Sequence, residues 1–438
     1  MEQLRLKPIE HFSGTVNLPG SKSLSNRALL LAALAHGETK LENLLLSEDT
    51  EQMLNALTQF GIAIEFIDIS SGKKSDRPTT TCVVSGNGGL FVPPNESHFS
   101  LGNAGTAIRP LTSILSLSQG TFTVDGDQYM RERPIAHLAE ALVQLGAKIS
   151  YLGKAGCPPI KIEGGKITGG KVNIKGDISS QYLTSLLMAL PLAPRDSVIS
   201  IIGEQVSKPY LDITLDIMQK FGVYATHDNY QHFILSGAQQ YQSPGTYLIE
   251  GDASSASYFY AAGAIGDGPV TVTGLGSKSV QGDIAFLDVI EAMGAIVDKT
   301  DHAVTVTGGT LKGVDMDLNH IPDAAMTIAA MALFAEGPTR IRNIYNWRVK
   351  ETDRLHAMST ELRKLGALVE TGEDFIYIEP PKQILPATID TYGDHRIAMC
   401  FSLAAFGQNE ILINDPGCVA KTFPTYFDLF SKLSVSAS

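Results

Sequence analysis

The sequence predicts an α/β (α+β) fold of two similar lobes, each built of three repeated βαβαββ-type units. Two recurring phrases and one break in composition predict it. The first phrase is an amphipathic helix, a glycine and a strand start. It reads "LTQFGIAIEF" at Gly61, "LVQLGAKISYL" at Gly146, "MQKFGVYATH" at Gly222, "IEAMGAIVDK" at Gly294 and "LRKLGALVET" at Gly366, with "FSKLSVSAS" as a worn sixth copy. The second phrase precedes each copy and is a polar, small-residue turn followed by an almost wholly apolar helix. Its six forms are "GSKSLSNRALLLAALA", "GNAGTAIRPLTSILSL", "DISSQYLTSLLMALPLA", "DASSASYFYAAGAI", "PDAAMTIAAMALFA" and "GDHRIAMCFSLAAF". Recurrence of a whole supersecondary phrase marks a repeat architecture. The break is the Gly/Pro/Ser-rich run "SGAQQYQSPGTY" at 236–247, which divides the copies three and three.

Each element has a local reason. A helix apolar on all sides belongs in the interior, and one with a single apolar stripe belongs on the outside. A glycine one step past a helix takes the left-handed conformation that closes it. The runs "GTFTVDG", "GPVTVTG" and "GPTRIRN" pair a turn with β-branched residues and predict strands. The lobes are set at 21–240 and at 1–20 plus 246–438, with hinges near 20 and at 240–246. From the residues alone, the strand before Gly20 fits either lobe.

The totals exclude several functions. The chain has 438 residues, 44% of them hydrophobic, and a net charge of −12; its isoelectric point is near 5.3. A broad nucleic-acid or anionic-membrane surface needs a basic face, which this balance does not supply. The four cysteines, Cys82, Cys157, Cys400 and Cys418, form no C-x-x-C pair, so neither a zinc site nor a redox motif is indicated. No signal peptide opens the sequence, and the longest apolar runs fall short of the ~20 residues that span a bilayer. A reducing cytoplasm is the expected setting.

Against this acidic total, cations stand where helices disfavour them. Lys22 and Arg27 open the first apolar helix, Arg109 lies in the first turns of the second, and His395 and Arg396 open the sixth. A cation at a helix N-terminus costs roughly 0.3–1 kcal/mol. A bound phosphate or carboxylate reverses that sign. In "NWRVKETDRLHAMSTELRKLG" the stripe Leu355, Met358, Leu362 and Leu365 predicts a helix, with Lys350 and Arg354 repelling each other at i and i+4 near its start. Taken alone, Glu351 with Arg354 reads equally well as a surface ion pair. Arg131 and Arg133 around Glu132 read alone as a solvated turn, and Lys421 in "DPGCVAKTFP" as an ordinary loop lysine. Only the set, repeated over both halves of an acidic chain, points to an anion site. No Walker A or dinucleotide glycine pattern accompanies it, and no metal-ligand spacing does either. His36, His98 and His320 read as structural or exposed.

Nine segments in order, "LPGSKSLSNRALLLAALA", "LGNAGTAIRPL", "RERPIAHL", "SSQYLTSLLMALPLA", "EGDASSASYF", "HIPDAAMTIA", "NWRVKETDRL", "YGDHRIAM" and "KTFPTYF", resemble those of the 5-enolpyruvylshikimate-3-phosphate synthases. The resemblance covers nearly the whole chain. It implies two lobes whose central helix N-termini face an interlobe cleft. It implies transfer of the enolpyruvyl group of phosphoenolpyruvate to the 5-hydroxyl of shikimate 3-phosphate, with no cofactor and no metal, in chorismate and aromatic amino-acid biosynthesis. The shikimate 3-phosphate ligands it implies are Lys22, Ser23, Arg27, Ser179, Ser180, Gln181, Ser207, Tyr210, Asp323, Asn346 and Lys350. Those for phosphoenolpyruvate are Lys22, Gly105, Arg133, Gln181, Arg354, Arg396 and Lys421. Asp323 resembles the base for the shikimate hydroxyl and Glu351 the proton donor to the methylene carbon, with Lys22 a further proton shuttle. Gly105 leaves the enolpyruvate pocket open, which implies inhibition by glyphosate. A monomer without nucleic-acid or membrane partners is expected. The rivals are the sister transferase acting on UDP-N-acetylglucosamine, which typically has Lys-Asn where this chain has Lys22-Ser23, and a non-catalytic anion-binding protein. An RNA-end-processing enzyme of related fold is disfavoured by the acidic balance.

Overall fold

Each outer helix stops where its glycine falls. The helices Glu48–Gln59, Ala136–Gln144, Pro209–Lys220, Phe286–Met293 and Arg354–Lys364 run into Gly61, Gly146, Gly222, Gly294 and Gly366, all at positive φ. The sixth, Tyr426–Leu433, has Ser434 in place of glycine and turns directly into the strand Ser434–Ser436. The central helices are Lys22–Leu34, Gly105–Leu117, Ser180–Ala189, Ala253–Ile265, Ala325–Met331 and His395–Ser402, buried along nearly their whole length. The last two are shorter than their apolar sequence suggests, because each tightens into a 3₁₀ turn, Ala332–Phe334 and Leu403–Phe406. The computed structural model describes residues 2–92, 97–177 and 179–436.

The chain divides into two compact units: Gly20–Ile249, here the inserted unit, and Met1–Pro19 with Glu250–Ser438, here the terminal unit. In the inserted unit one repeat shows the pattern plainly. Ser97–Ser100 lies parallel to Thr121–Asp125, with the central helix between them in sequence. Ile160–Glu163 then pairs antiparallel with Thr121–Asp125, and Lys148–Tyr151 completes the sheet. A parallel pair needs a crossover helix, whereas an antiparallel pair does not, so the β-α-β-α-β-β order follows. Gly170–Lys175, Ser197–Ile202, His232–Leu235 and Ala225–Asp228 repeat it. In the terminal unit Asp315–Asp317, Thr339–Arg342, Ile376–Glu379 and Leu368–Thr371 do the same. One contiguous apolar core joins the three repeats of that unit.

Two strands change places relative to sequence order. Gly14–Asn17 precedes the Lys22–Leu34 helix in sequence, yet it pairs parallel to Val270–Thr273 in the terminal unit. The vacant position beside His36–Glu42 is filled by Thr246–Leu248. The strand before Gly20 therefore belongs to the terminal unit. The run 236–247, read above as a connection between lobes, packs inside the inserted unit: Tyr241 is fully buried and its hydroxyl donates to the Met188 carbonyl at 2.8 Å. The chain passes between units at Pro19/Gly20 and Ile249/Glu250 instead of near 240–246. In the sixth repeat, Gln3–Leu6 supplies the antiparallel partner of Ile411–Asn414, and Ile9–Phe12 pairs with Ser434–Ser436 in a separate two-stranded sheet. Among the described residues, no helix is long and apolar enough to cross a membrane.

Candidate active site

Within the inserted unit, the three central helices bring their first turns together. Asn26 donates to the Thr106 hydroxyl at 2.7 Å, and the Arg109 guanidinium donates to the Gln181 carboxamide oxygen. Arg27 reaches Thr184 of the third helix at 3.3 Å. It also donates to Thr214 Oγ1 at 3.0 Å and to the backbone oxygens of Ser23 and Tyr210 at 2.9 and 3.4 Å. Burial lowers the Arg27 pKa to about 10, so the residue stays cationic at neutral pH. Side-chain capping is incomplete: Ser179 accepts from the Gln181 amide, whereas the helices from Lys22 and Gly105 begin with no side-chain cap. Those amides retain the partial positive charge that favours an anion.

Lys22 lies 3.5 Å from Asp49, a carboxylate only 3% exposed on the first outer helix. That anion offsets the cost of a lysine at a helix start, and nothing near Lys22 in sequence order reveals it. The two arginines of "MRERP" separate. Arg131 turns outward to Asp125 at 2.6 Å, while Arg133 is buried and donates to Asn103 Oδ1 at 2.7 Å. Arg109 also lies over the Tyr182 ring, whose hydroxyl donates to the Pro134 carbonyl and ties this helix to the Arg133 loop. Gly105 sits among these groups. A Cβ there would collide with Arg109 Nη1 and come within 2.9 Å of Arg133 Nη2 and 3.3 Å of Gln181 Oε1. Ser23, Ser179 and Gln181 are half-buried and Ser180 is buried. Ser207 holds φ at +53°, a left-handed conformation uncommon for serine, one turn before Tyr210.

The terminal unit builds a second cluster around Arg354, only 1% exposed. Its Nε donates to Asp394 Oδ2 at 2.8 Å, Nη1 to Asp323 Oδ1 at 2.9 Å and Nη2 to Glu351 Oε2 at 2.8 Å. Arg396 donates to the other Asp323 oxygen at 2.9 Å and to the Tyr258 hydroxyl at 3.2 Å. Lys350 lies 3.8 Å from Asp323, and Lys421 lies 3.6 Å from Glu351. The Glu351–Arg354 pair, which taken alone reads equally well as a surface ion pair, thus forms in the interior. The expected placement of Lys350 on the same helix as Arg354 is corrected, because Asp353 caps a helix that begins at Arg354; the two cations still repel, through space, around Asp323. Lys421 ends the 3₁₀ turn Pro416–Lys421 and is buried. Asn346 is buried beside Trp347, whose indole donates to the Pro322 carbonyl at 2.7 Å and so fixes the backbone next to Asp323.

These charges shift one another. Burial alone would raise the Asp323 pKa, but Arg396, Lys350 and Arg354 outweigh it and hold the carboxyl well below its usual range. Burial, reinforced by Arg354 and Arg396, lowers the Lys350 pKa despite Asp323. Burial opposes protonation of Arg354 as well, yet its three carboxylates raise its pKa further. Interleaved cations and carboxylates of this kind can receive anions and move protons. Among the described residues, no group of three or more His, Cys, Asp or Glu could hold a metal ion. Arg109 stood out in the sequence only as one of the helix-start cations, and Asp394, Asn103, Asn26 and Asp49 carried no assigned role there. For Asp394 the available signal was its place as the cap of a helix that starts with His395 and Arg396.

Comparison with known proteins identifies the family. The family model described as EPSP synthase (3-phosphoshikimate 1-carboxyvinyltransferase) matches residues 6–430. A 3-phosphoshikimate 1-carboxyvinyltransferase of Enterobacter sp. (strain 638) is 57% identical over 437 residues, covering 100% of both chains. One from Aeromonas salmonicida (strain A449) is 58% identical over 434 residues, covering 99% of each. The solved structure of EPSP synthase from Acinetobacter baumannii superposes with a TM-score of 0.83 at 25% identity, covering 100% of this chain and 99% of that one. The chain belongs to the EPSP synthase (3-phosphoshikimate 1-carboxyvinyltransferase) family.

Proposed function

We propose that the two cationic clusters are the substrate sites of this transferase. As a member of its family, the chain transfers the enolpyruvyl group of phosphoenolpyruvate to the 5-hydroxyl of shikimate 3-phosphate and releases phosphate. In the inserted unit, Lys22, Ser23, Arg27, Ser179, Ser180, Gln181, Ser207 and Tyr210 serve shikimate 3-phosphate. Gly105 and Arg133, with Lys22 and Gln181, serve phosphoenolpyruvate. In the terminal unit, Asn346, Lys350 and Asp323 serve the shikimate ring, and Arg354, Arg396 and Lys421 take the phosphoenolpyruvate anion.

The observation that carries this reading is the interleaving in the terminal unit. Asp323 and Glu351 are bound by the same cations that an anionic substrate would recruit. A carboxylate held this strongly is ionised but a weak base. When substrate anions draw Arg396, Arg354 and Lys350 toward themselves, the proton affinity of Asp323 rises into a useful range. Asp323 then takes the proton of the 5-hydroxyl as the C2–O5 bond forms, and Glu351, protonated from solvent once Arg354 and Lys421 turn to the substrate, delivers that proton to the methylene carbon. Elimination breaks the C2–O bond to phosphate, which leaves with the bonding pair and takes up the proton held by Asp323, while the Glu351 carboxylate takes back a methyl proton and the double bond is restored. No covalent bond to the protein forms, so positioning, electrostatics and these proton transfers are the protein's share. Phosphate release should require shikimate 3-phosphate together with phosphoenolpyruvate. Release with UDP-N-acetylglucosamine in its place would point to the sister reaction, and none with either would leave only anion binding.

Gly105 gives this reading a specific consequence. Glyphosate, a small phosphonate–carboxylate anion, should inhibit the enzyme by occupying the space beside Gly105. Gly105→Ala should push the ends of Arg109 and Arg133 aside, raise the KM for phosphoenolpyruvate and weaken glyphosate by about tenfold or more. Inhibition curves for the two proteins check this; a wild-type enzyme indifferent to millimolar glyphosate would contradict it. We assign the enzyme to a reducing cytoplasm, a setting supported by four cysteines that are all free thiols, three of them buried.

A further inference from the structure

The mechanism above gives no role to Asp283, a carboxyl only 5% exposed on the short 3₁₀ turn Gly282–Ala285. This turn is clamped to the start of the Ala253–Ile265 helix. Gln281 accepts from the Ala253 amide at 3.2 Å and donates to the Gly251 carbonyl at 2.7 Å and to Glu250 at 3.1 Å. Two residues on, Asp283 accepts a hydrogen bond from the Ser254 hydroxyl. Ser254 and Tyr258 are four residues apart on one helix and so share a face. The Tyr258 hydroxyl accepts from Arg396, whose other nitrogen holds Asp323. One helix face therefore addresses Asp283 at its first turn and Arg396 at its next.

We propose that Asp283 is a positioning residue for the transfer: its charge, held by Ser254 one helical turn from the Tyr258 that meets Arg396, sets how freely Arg396 meets the phosphoenolpyruvate anion and how readily Asp323 takes a proton. The proposal rests on the assignment of Arg396 and Asp323 to the substrate site. Burial pushes the Asp283 pKa up to about 7, and the charge of Asp323 adds to this, as more weakly does that of Asp252; the Ser254 hydrogen bond and Arg396 oppose it. Tyr258 and Tyr260 on the packed helix stay neutral, because burial raises both. On the helix that follows the turn, Asp288 and Glu291 are engaged by Lys299 at 2.9 and 3.1 Å. Asp283 is thus neutral below neutrality and anionic above it. In the anionic form it weakens the positive potential at Arg396 and raises the proton affinity of Asp323.

The test is the KM for phosphoenolpyruvate and kcat of wild type, Asp283→Asn and Ser254→Ala, from about one pH unit below neutrality to about one above. The wild-type KM should rise through this range while that of Asp283→Asn should not, so their ratio changes by about three- to tenfold. A purely structural role would shift both ends of the range alike. Ser254→Ala loses a bond that favours the charged form and should move the inflection to higher pH. A flat Asp283→Asn ratio, or an inflection that Ser254→Ala leaves in place, overturns the proposal. Arg396→Gln separates this from failure of the site assignment: if Arg396 is not a substrate ligand, that variant keeps the wild-type KM for phosphoenolpyruvate.

Discussion

Replacing Asp323 by Ala should lower kcat by about 10²–10⁴-fold, the range expected for loss of a positioned general base, while both substrates still bind measurably. Asp323 shares its two oxygens between Arg354 and Arg396 and lies near Lys350, so it sits where the anionic substrates would draw those cations. Asp323→Asn keeps the shape and one acceptor oxygen but cannot take the proton. The two variants should therefore lose kcat to a similar degree, and Asn should preserve the KM values better. Steady-state phosphate release, read as separate kcat and KM values, checks this. Turnover within about threefold of wild type in the Asn variant would remove Asp323 from proton transfer.

The second large effect falls on stability. Arg354→Met should destabilise the fold by about 3 kcal/mol or more and abolish most activity. Met approximates the aliphatic stem but leaves Asp394, which is fully buried, without its guanidinium partner, and it takes one cation each from Asp323 and Glu351. Unmatched interior carboxylates are far costlier than the pair is beneficial. The sign of the pH dependence follows from Asp323, whose folded pKa is depressed. Its stabilisation is present above the unfolded carboxyl pKa of about 4 and is lost as pH falls toward the folded value. The variant has less of this contribution to lose. The stability gap between wild type and Arg354→Met should therefore narrow as pH drops from neutrality toward about 3. Urea unfolding at each pH, with the slope m compared to exclude a change in the unfolded state, measures it.

Much of the fold was legible because its signals are local. A glycine after an amphipathic helix ends it whatever lies nearby, and five of the six outer helices end this way. The lobe bounds placed the strand Gly14–Asn17 with 246–438, but its pairing, and the return of Thr246–Leu248 to the inserted unit, were not legible in the residues, because strand pairing depends on partners more than two hundred residues away. The run 236–247 has a connector's composition, but Tyr241 anchors it in the interior. At the site, the cations stood out as conflicts with local helix rules. Their partners did not: Asp49, Asn103 and Asp283 obey ordinary surface or turn statistics, and only tertiary structure brings them to Lys22, Arg133 and the Ser254 turn. The Glu351–Arg354 spacing showed that the pair could form, but burial, which the spacing does not encode, is what gives it chemical weight.

The central claim is that the buried cations of each unit are ligands for anionic substrates. The most direct measurement is the pair of KM values for Arg27→Gln and Arg396→Gln in the phosphate-release reaction. Arg27→Gln should raise the KM for shikimate 3-phosphate by about tenfold or more, and Arg396→Gln should do so for phosphoenolpyruvate, each with a smaller effect on the other substrate. Wild-type KM values in both variants, with only their melting temperatures lowered, would contradict it and leave these arginines as structural groups.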